Sequence, residues 1–377
     1  MQDQLSRLFS DFDRGRISRR RLLQALGIAA VIRPAVALGQ GSCGGARAGT
    51  PQCDPTPGKL PFAATGWRTV LLDHFIVQVA DYQKEAAYYQ ALMNWKIRSD
   101  DGKQAMLDIG DWGGLLIKGG YQPPTPTPAP TPAANAAGAA GAAGQGGGRG
   151  GGGGRGPARA QFTGFCWGID PWNAKTVEAE LKKRGLEPIA DHNPSAKFES
   201  FHVVDPGGFD VQISNGNSKN RRQSPASGKS QAPAPFESTA WKTVWLDHIS
   251  FEVSNYKETA AFYNALLGWK LGEDEGSQNT MDIGDVGGVI VRRGGRGPAV
   301  PGAPRRAQMG HISFGIADFD PDKVKEELTK RGLTAREDTG GRGDIHTAPY
   351  KSYHTTTPNG FDLQISATNR SSRTPTA

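Results

Sequence analysis

The sequence predicts an α+β protein of two tandem domains. Each domain is built from two strand–helix–strand–strand–strand (βαβββ) modules whose strands curl into one sheet around a cup. Three observations predict this: a long internal repeat, strands that alternate apolar and polar residues, and helix caps at matched places in the repeats. Residues 67–118 align without a gap on residues 241–292, at an offset of 174, with nearly half the positions identical. His74 falls on His248, Tyr82 on Tyr256, Trp95 on Trp269 and Asp108 on Asp282. Residues 162–215 resemble 309–367 in the same way: RGLEP matches RGLTA, and DPGGFDVQIS matches TPNGFDLQIS. The order is A-B-A-B, a duplicated two-module domain.

In chain order, VLLDHFIVQV (70–79) opens the first module and WLDHISFEV (245–253) the third, both alternating as strands do. After the second of these, Asn255 caps a helix with Glu258 three residues on, and Gly268 ends it. In the fourth module HISFGI leads to Asp320-Pro321, a cap followed by proline at the first helical position, and Arg331-Gly332 closes that helix. Short strands follow, ending with FDLQIS. The predicted boundaries are 67–214 for the first domain and 241–367 for the second, with a tail at 368–377.

Between the modules the composition changes. A Pro/Ala/Gly-rich insert at 119–160 has too few apolar side chains to offset ordering entropy. A linker spans 215–240, with a polar stretch at 217–234, and a shorter Gly/Pro/Arg insert (294–306) recurs at the matching joint of the second copy. Insertions at matched joints place those joints at the surface. The net charge of +7 raises the question of nucleic acid, but the excess lies in the N-terminal arginines, the Gly-rich tracts and the linker. The remainder is close to neutral, so no basic binding face and no nucleic-acid partner are expected.

Residues 18–39, SRRRLLQALGIAAVIRPAVALG, read as an export signal: arginines, a moderate apolar run, then small residues. Ser18-Arg19-Arg20 before Leu22-Leu23 resembles the twin-arginine motif, although Leu22 and Gln24 depart from its usual Phe and Lys. Cleavage after Ala35-Val36-Ala37 would leave a signal of 1–37, a disordered tail at 38–66 and a periplasmic or secreted protein. The membrane would then matter only for export. The run is too short for a stable span, and an amphipathic cytosolic helix is the alternative. Cys43 and Cys53 lie in the tail, where an oxidising compartment could pair them, and Cys166 sits alone in a strand as a small core residue.

Modules that open on L-D-H and close on P-x-G-x-x-x-[E/Q] resemble the vicinal oxygen chelate superfamily. It includes glyoxalase I, extradiol ring-cleaving dioxygenases, methylmalonyl-CoA epimerase, and bleomycin and fosfomycin resistance proteins. The resemblance implies the fold strongly and the reaction weakly, because this fold hosts many chemistries.

Strand alternation then selects the candidate site. Ile249, Phe251 and Val253 pack against helices, leaving His248 and Ser250 on the other face. Ile312 and Phe314 pack likewise and leave His311, while Leu363 and Ile365 leave Gln364. In a cup these rows meet, and the resemblance makes His248, His311 and Gln364 the metal ligands. Extradiol enzymes place two histidines and a carboxylate there. Glutamine offers a carbonyl oxygen but no charge, so a divalent ion, Fe(II) or Mn(II) before Zn(II), would be held more loosely. Those enzymes also carry an upstream His and a Tyr; here His346 and His354 stand in those places and are the candidate acid/base residues.

In the first copy His74 remains, but Gly164 matches His311 and Gln212 matches Gln364, a poor metal set. A glyoxalase-type four-ligand site would need an acid near the end of GGVIVRR, where there is none. Asp205, Asp108 and Asp282 are assigned to turns. The leading expectation is an exported metalloenzyme acting on a small molecule with vicinal oxygens, ring cleavage being its sharpest form. The rivals are a metal-free sequestering protein and a structural protein that kept only the fold. Pairing of two chains as a homodimer is left open.

Overall fold

The computed structural model describes residues 58–122, 160–191, 197–222, 232–294 and 307–372. The export stretch, Cys43, Cys53, most of the 119–160 insert and the 295–306 insert lie outside these residues. No helix among the described residues is long and apolar enough to cross a membrane.

The first domain comprises β1 (Arg68–Val79), α1 (Tyr82–Met93), β2 (Lys96–Asp100), β3 (Gln104–Ile109) and β4 (Gly113–Lys118). Its second module is β5 (Ala160–Asp170), α2 (Ala174–Lys183), β6 (Ile189–Asp191), β7 (Ser200–Val204) and β8 (Asp210–Ser214). The second domain repeats this as β9 (Thr243–Val253), α3 (Tyr256–Leu267), β10 (Lys270–Asp274), β11 (Gln278–Asp282) and β12 (Gly287–Arg293). It ends with β13 (Gln308–Ile316), α4 (Pro321–Lys330), β14 (Arg336–Asp338), β15 (Ser352–Thr356) and β16 (Asp362–Ser366).

Each domain forms one eight-stranded sheet, in the orders β2-β3-β4-β1-β5-β8-β7-β6 and β10-β11-β12-β9-β13-β16-β15-β14. Within each sheet the opening strands of the two modules pair antiparallel at the centre, β1 with β5 and β9 with β13. The βαβββ architecture read from the repeats is therefore the observed one.

Local sequence explains the helix ends. Asn255 accepts from the Glu258 amide, and Asp320 accepts from the Lys323 amide with Pro321 in the first turn. Gly268 closes α3 at φ 70°, and a Cβ there would meet the Trp67 carbonyl at 2.3 Å, so both conformation and space demand glycine. Helices α2 and α4 bury only Val177 and Leu181, and Val324 and Leu328. Helices α1 and α3 each bury nine residues, because each is also covered by the other domain.

That cover is reciprocal. Trp95 Nε1 donates to Thr243 Oγ1, and Trp269 Nε1 donates to Thr69 Oγ1, both at 2.9 Å. Phe165 stacks on Phe251 at 5.3 Å, and Trp167 meets Trp269 edge-on at 5.0 Å, so one apolar core serves both domains. The hairpin turns cross over as well. Asp205 Oδ2 accepts from Tyr263 Oη at 2.8 Å, and Glu85 Oε2 accepts from Asn359 Nδ2 at 2.6 Å. Asp205 does serve its turn, accepting from the Phe209 amide at 2.7 Å, but it also ties the two domains together.

Two expected loose segments are ordered in part. The end of the 38–66 tail lies on α3, where the Thr65 amide donates to the Ala265 carbonyl at 2.9 Å. The end of the 215–240 linker lies on α1 in the same way, through the Thr239 amide and the Ala91 carbonyl at 2.9 Å. The start of that linker folds back on the first domain, with Asn217 and Asn220 bridged. Composition marks these stretches as polar, but their backbone groups find partners that no local pattern reveals.

Candidate functional site

Strand register gathers the candidate residues on one face of the second sheet. In the β9–β13 ladder His248 lies opposite Ser313, and Ser250 opposite His311. The ladder shifts between Met309 and His311, a bulge that turns His311 beside His248. Their Nε2 atoms are 2.7 Å apart and their rings stand nearly perpendicular, 4.9 Å between centroids. Strand β16 runs parallel to β13 and sets Gln364 beside Ser313, while β15 sets His354 opposite Gln364.

The surroundings fix each group. Asp247 is buried, accepts from Ser313 Oγ and Tyr350 Oη at 2.8 Å each, and lies 3.5 Å from His248 Nδ1. Burial works against its charge, but His248, Ser313 and Tyr350 together hold its carboxyl below the usual carboxylate range. At 3.5 Å Asp247 is a charged neighbour of His248 and not a hydrogen-bond partner, and His248 Nδ1 is buried without one. Burial, reinforced by His248 and His354, pushes His311 well below the ordinary imidazole value, so its ring is neutral.

Gln364 is fully buried, and its Nε2 donates to Asp338 Oδ2 at 3.1 Å and to Ser352 Oγ at 2.7 Å. The Asp338 carboxylate only accepts, and with His354 beside it titrates at about 2, so the amide nitrogen must face it. Oε1 of Gln364 is left buried without a partner. His354 is flanked by two carboxylates, Nδ1 at 3.1 Å from Asp362 and Nε2 at 3.2 Å from Asp338. Burial opposes its charge, but those two bonds outweigh it and raise the His354 pKa, which suits an imidazolium. A cavity of about 220 Å³ opens beside the pair, lined by His248, Arg292, Tyr350, Asp338, Gln278 and Ile290.

The structure thus brings together His248, His311, His354 and Gln364, but not His346. That ring is exposed and lies 3.8 Å from Asp322 of α4. Its loop follows the dioxygenase spacing in sequence while its hydrogen bonds, to Asp344 and Lys351, hold it in a surface turn. Asp247, Asp338, Asp362, Tyr350 and Arg292 were missed. Two of them carried a signal, since the D-H pair of β9 and the F-D pair of β16 recur in both copies.

His311, His354 and Asp362 also bring ligand atoms within 4.8 Å of one another. Both His354 nitrogens already face carboxylates, however, so ligation would have to break one of those bonds. The donors left over in the second domain are His248 Nε2 and His311 Nε2, which face each other, and Oε1 of Gln364, which is partnerless as Oε1 of Gln212 is in the first domain.

The first domain shows the same frame, filled differently. Gln212 Nε2 again meets an acid and a serine, Asp191 at 3.1 Å and Ser200 at 2.7 Å, and His202 again meets Asp210 at 2.9 Å. At Gly164 a Cβ would meet the Asp210 carbonyl at 2.5 Å, so no histidine fits there. Arg222 pairs with Asp191 at 3.1 Å, its amide donates to Asp73 at 3.0 Å, and Arg221 pairs with Asp108 at 3.0 Å. Asp73, His74 and Cys166 cluster within 4.8 Å, but Arg98 and Arg222 face this buried group and repel a cation. Burial, opposed by Asp73, lowers the His74 pKa to about 4.

Residues 245–365 match the family model of the Glyoxalase/Bleomycin resistance protein/Dioxygenase superfamily. The second domain belongs to that superfamily, and the first repeats its fold. Among solved structures, the chain is similar to the Mn(II)-bound glyoxalase from Novosphingobium aromaticivorans, at 13% identity and TM-score 0.51, covering 80% of this chain and 82% of that one. It is likewise similar to the 2,3-dioxygenase LapB from Pseudomonas sp. KL28, at 12% identity and TM-score 0.50, covering 79% and 92%. A halotolerant catechol dioxygenase, BphC, aligns at 10% identity and TM-score 0.52, over 79% and 87%. At these identities the likeness is one of fold. No curated protein sequence matches the chain.

Proposed function

We propose that the second domain is a divalent-metal enzyme that binds a small molecule through two neighbouring oxygens, with ring cleavage of a catechol-type diol as its sharpest form. One observation carries the reading: two imidazole Nε2 atoms converge at 2.7 Å on the sheet face whose next strand carries Gln364, with its buried, partnerless Oε1. His248, His311 and Gln364 would hold Fe(II) or Mn(II), and the bound ion would supply Lewis acidity and open positions for the substrate's oxygens. The similar glyoxalase described as Mn(II)-bound supports a divalent ion of this kind.

The chain's other residues have definite tasks in this reading. Asp247 puts a negative charge behind His248, and Ser313 and Tyr350 keep that carboxylate in place. His354 lies between Asp338 and Asp362, which favour its protonated form, with its ring 5.0 Å from that of His311. It is a proton source or positive charge where the extradiol pattern has a tyrosine. Gln364 brings no charge, so the ion is held less tightly than by a carboxylate. The pattern at residues 18–39 extends the proposal to export, and a mature N-terminus at Leu38 in protein recovered from the producing cell would support it.

The test is to load the full chain with Fe(II) or Mn(II) and add catechols in air. Oxygen uptake matched by a ring-opened product, and lost in His248→Ala and His311→Ala, is expected. A metal-free protein that binds the diol tightly and returns it unchanged would refute the enzyme and favour sequestration.

A further inference from the structure

The cavity beside the histidine pair contains a cation, Arg292, that has no ion-pair partner among the described residues. Arg292, on β12, lies opposite Gln278 and alongside Glu252 in the ladders, and shares its face with Ile290 two residues earlier. Ile290, Gln278 and Arg292 all line the cavity with His248. Nε of Arg292 is buried without a hydrogen-bond partner, and among the described residues no carboxylate lies within ion-pair distance of its guanidinium. The neighbouring cations are spent. Arg336 pairs with Asp362 at 2.8 Å, and His354 lies between Asp338 and Asp362. Burial weakens the hold of Arg292 on its proton, and Asp338, Glu275 and Glu252 act at longer range to keep it charged. A partly desolvated guanidinium fork at the wall of a substrate cavity is the group that takes a carboxylate through two parallel hydrogen bonds.

We infer that Arg292 is a specificity residue and that the substrate carries an anionic group, a carboxylate, in addition to its paired oxygens. This rests on the metal-chelate reading of the same site. The paired oxygens would face His248 and His311, and the carboxylate would face Arg292. A divalent ion adds further positive charge to the cavity, so an anionic substrate suits both ends of it.

Three probes separate this inference from the reading beneath it: catechol, 3,4-dihydroxybenzoate and benzoate, each titrated calorimetrically into the Mn(II)-loaded full chain. The charged hydrogen bonds predict that 3,4-dihydroxybenzoate binds roughly tenfold or more tightly than catechol. Arg292→Met should abolish that ratio, while Arg292→Lys should keep part of it. Because the ratio is taken within one variant, a general loss of folded protein does not imitate the effect. Equal affinity of the two diols for the native chain, or a ratio that survives Arg292→Met, would overturn the inference while leaving chelation intact. If neither diol binds in a metal-dependent way but benzoate binds and loses affinity in Arg292→Met, the chelate reading fails and the carboxylate site stands. If benzoate and 3,4-dihydroxybenzoate are both indifferent to Arg292, the inference fails.

Discussion

Replacing Gln364 by glutamate restores the carboxylate of the extradiol pattern, and the structure says what that costs without metal. The nitrogen being replaced lies 3.1 Å from Asp338 Oδ2. Two unit charges at that distance, with an effective dielectric near 20, repel by about 5 kcal/mol. The new carboxyl has a second way out: taking up a proton at pH 7, against an ordinary value near 4.3, costs about 3.7 kcal/mol. The cheaper route sets the limit. Metal-free Gln364→Glu should therefore lose about 3–4 kcal/mol at pH 7 and only about 1 kcal/mol at pH 5. The sign follows from a folded-state pKa that is raised: stability is present at low pH and is lost as pH rises. Mn(II) relieves the repulsion, so the variant should gain more from the ion than the native chain does, and bind it more tightly. Urea unfolding at both pH values, with and without Mn(II), measures all four numbers. A variant as stable as the native chain at pH 7, or one that gains no more from Mn(II), would refute both the placement of the amide and its role as a ligand.

Three further outcomes are expected. Glu85 is buried between the domains, and burial, partly offset by Asn359, raises its pKa to about 7. Its native stability is thus greatest below about pH 4.5 and falls through pH 7, by about 3 kcal/mol in all, and Glu85→Gln should flatten that dependence in urea unfolding. Arg222→Ala leaves Asp191 without its ion pair in the first cup and should cost about 3 kcal/mol, with faster proteolysis near Lys219; an unchanged midpoint would contradict a structural role for that pair. His346→Ala should alter metal binding and stability by less than about 0.5 kcal/mol, since the ring is exposed.

Much of this molecule was readable because the chain repeats itself. The matched strands, caps and L-D-H openings gave the modules, and alternation along β9, β13 and β16 put His248, His311 and Gln364 on one face. The bulge beside His311 left no trace in periodicity. Asp338 and Asp362 look like ordinary surface acids until β14 and β16 carry them to either side of His354. Glu85 and Asn359 are 274 residues apart, and no local pattern links them. Arg221 and Arg222 belong by composition to a solvated linker, yet the acids of the first cup draw them in. His346 keeps the spacing of a family signature, and its loop holds the ring exposed beside Asp322.

Metal content tests the central claim most directly. After equilibration with Mn(II) and removal of free ion, the full chain should retain one equivalent, His248→Ala and His311→Ala should retain none, and His74→Ala should match the native chain. Retention that is unaffected by loss of His248 and His311, or absent from the native protein, would contradict a metal held between those two rings.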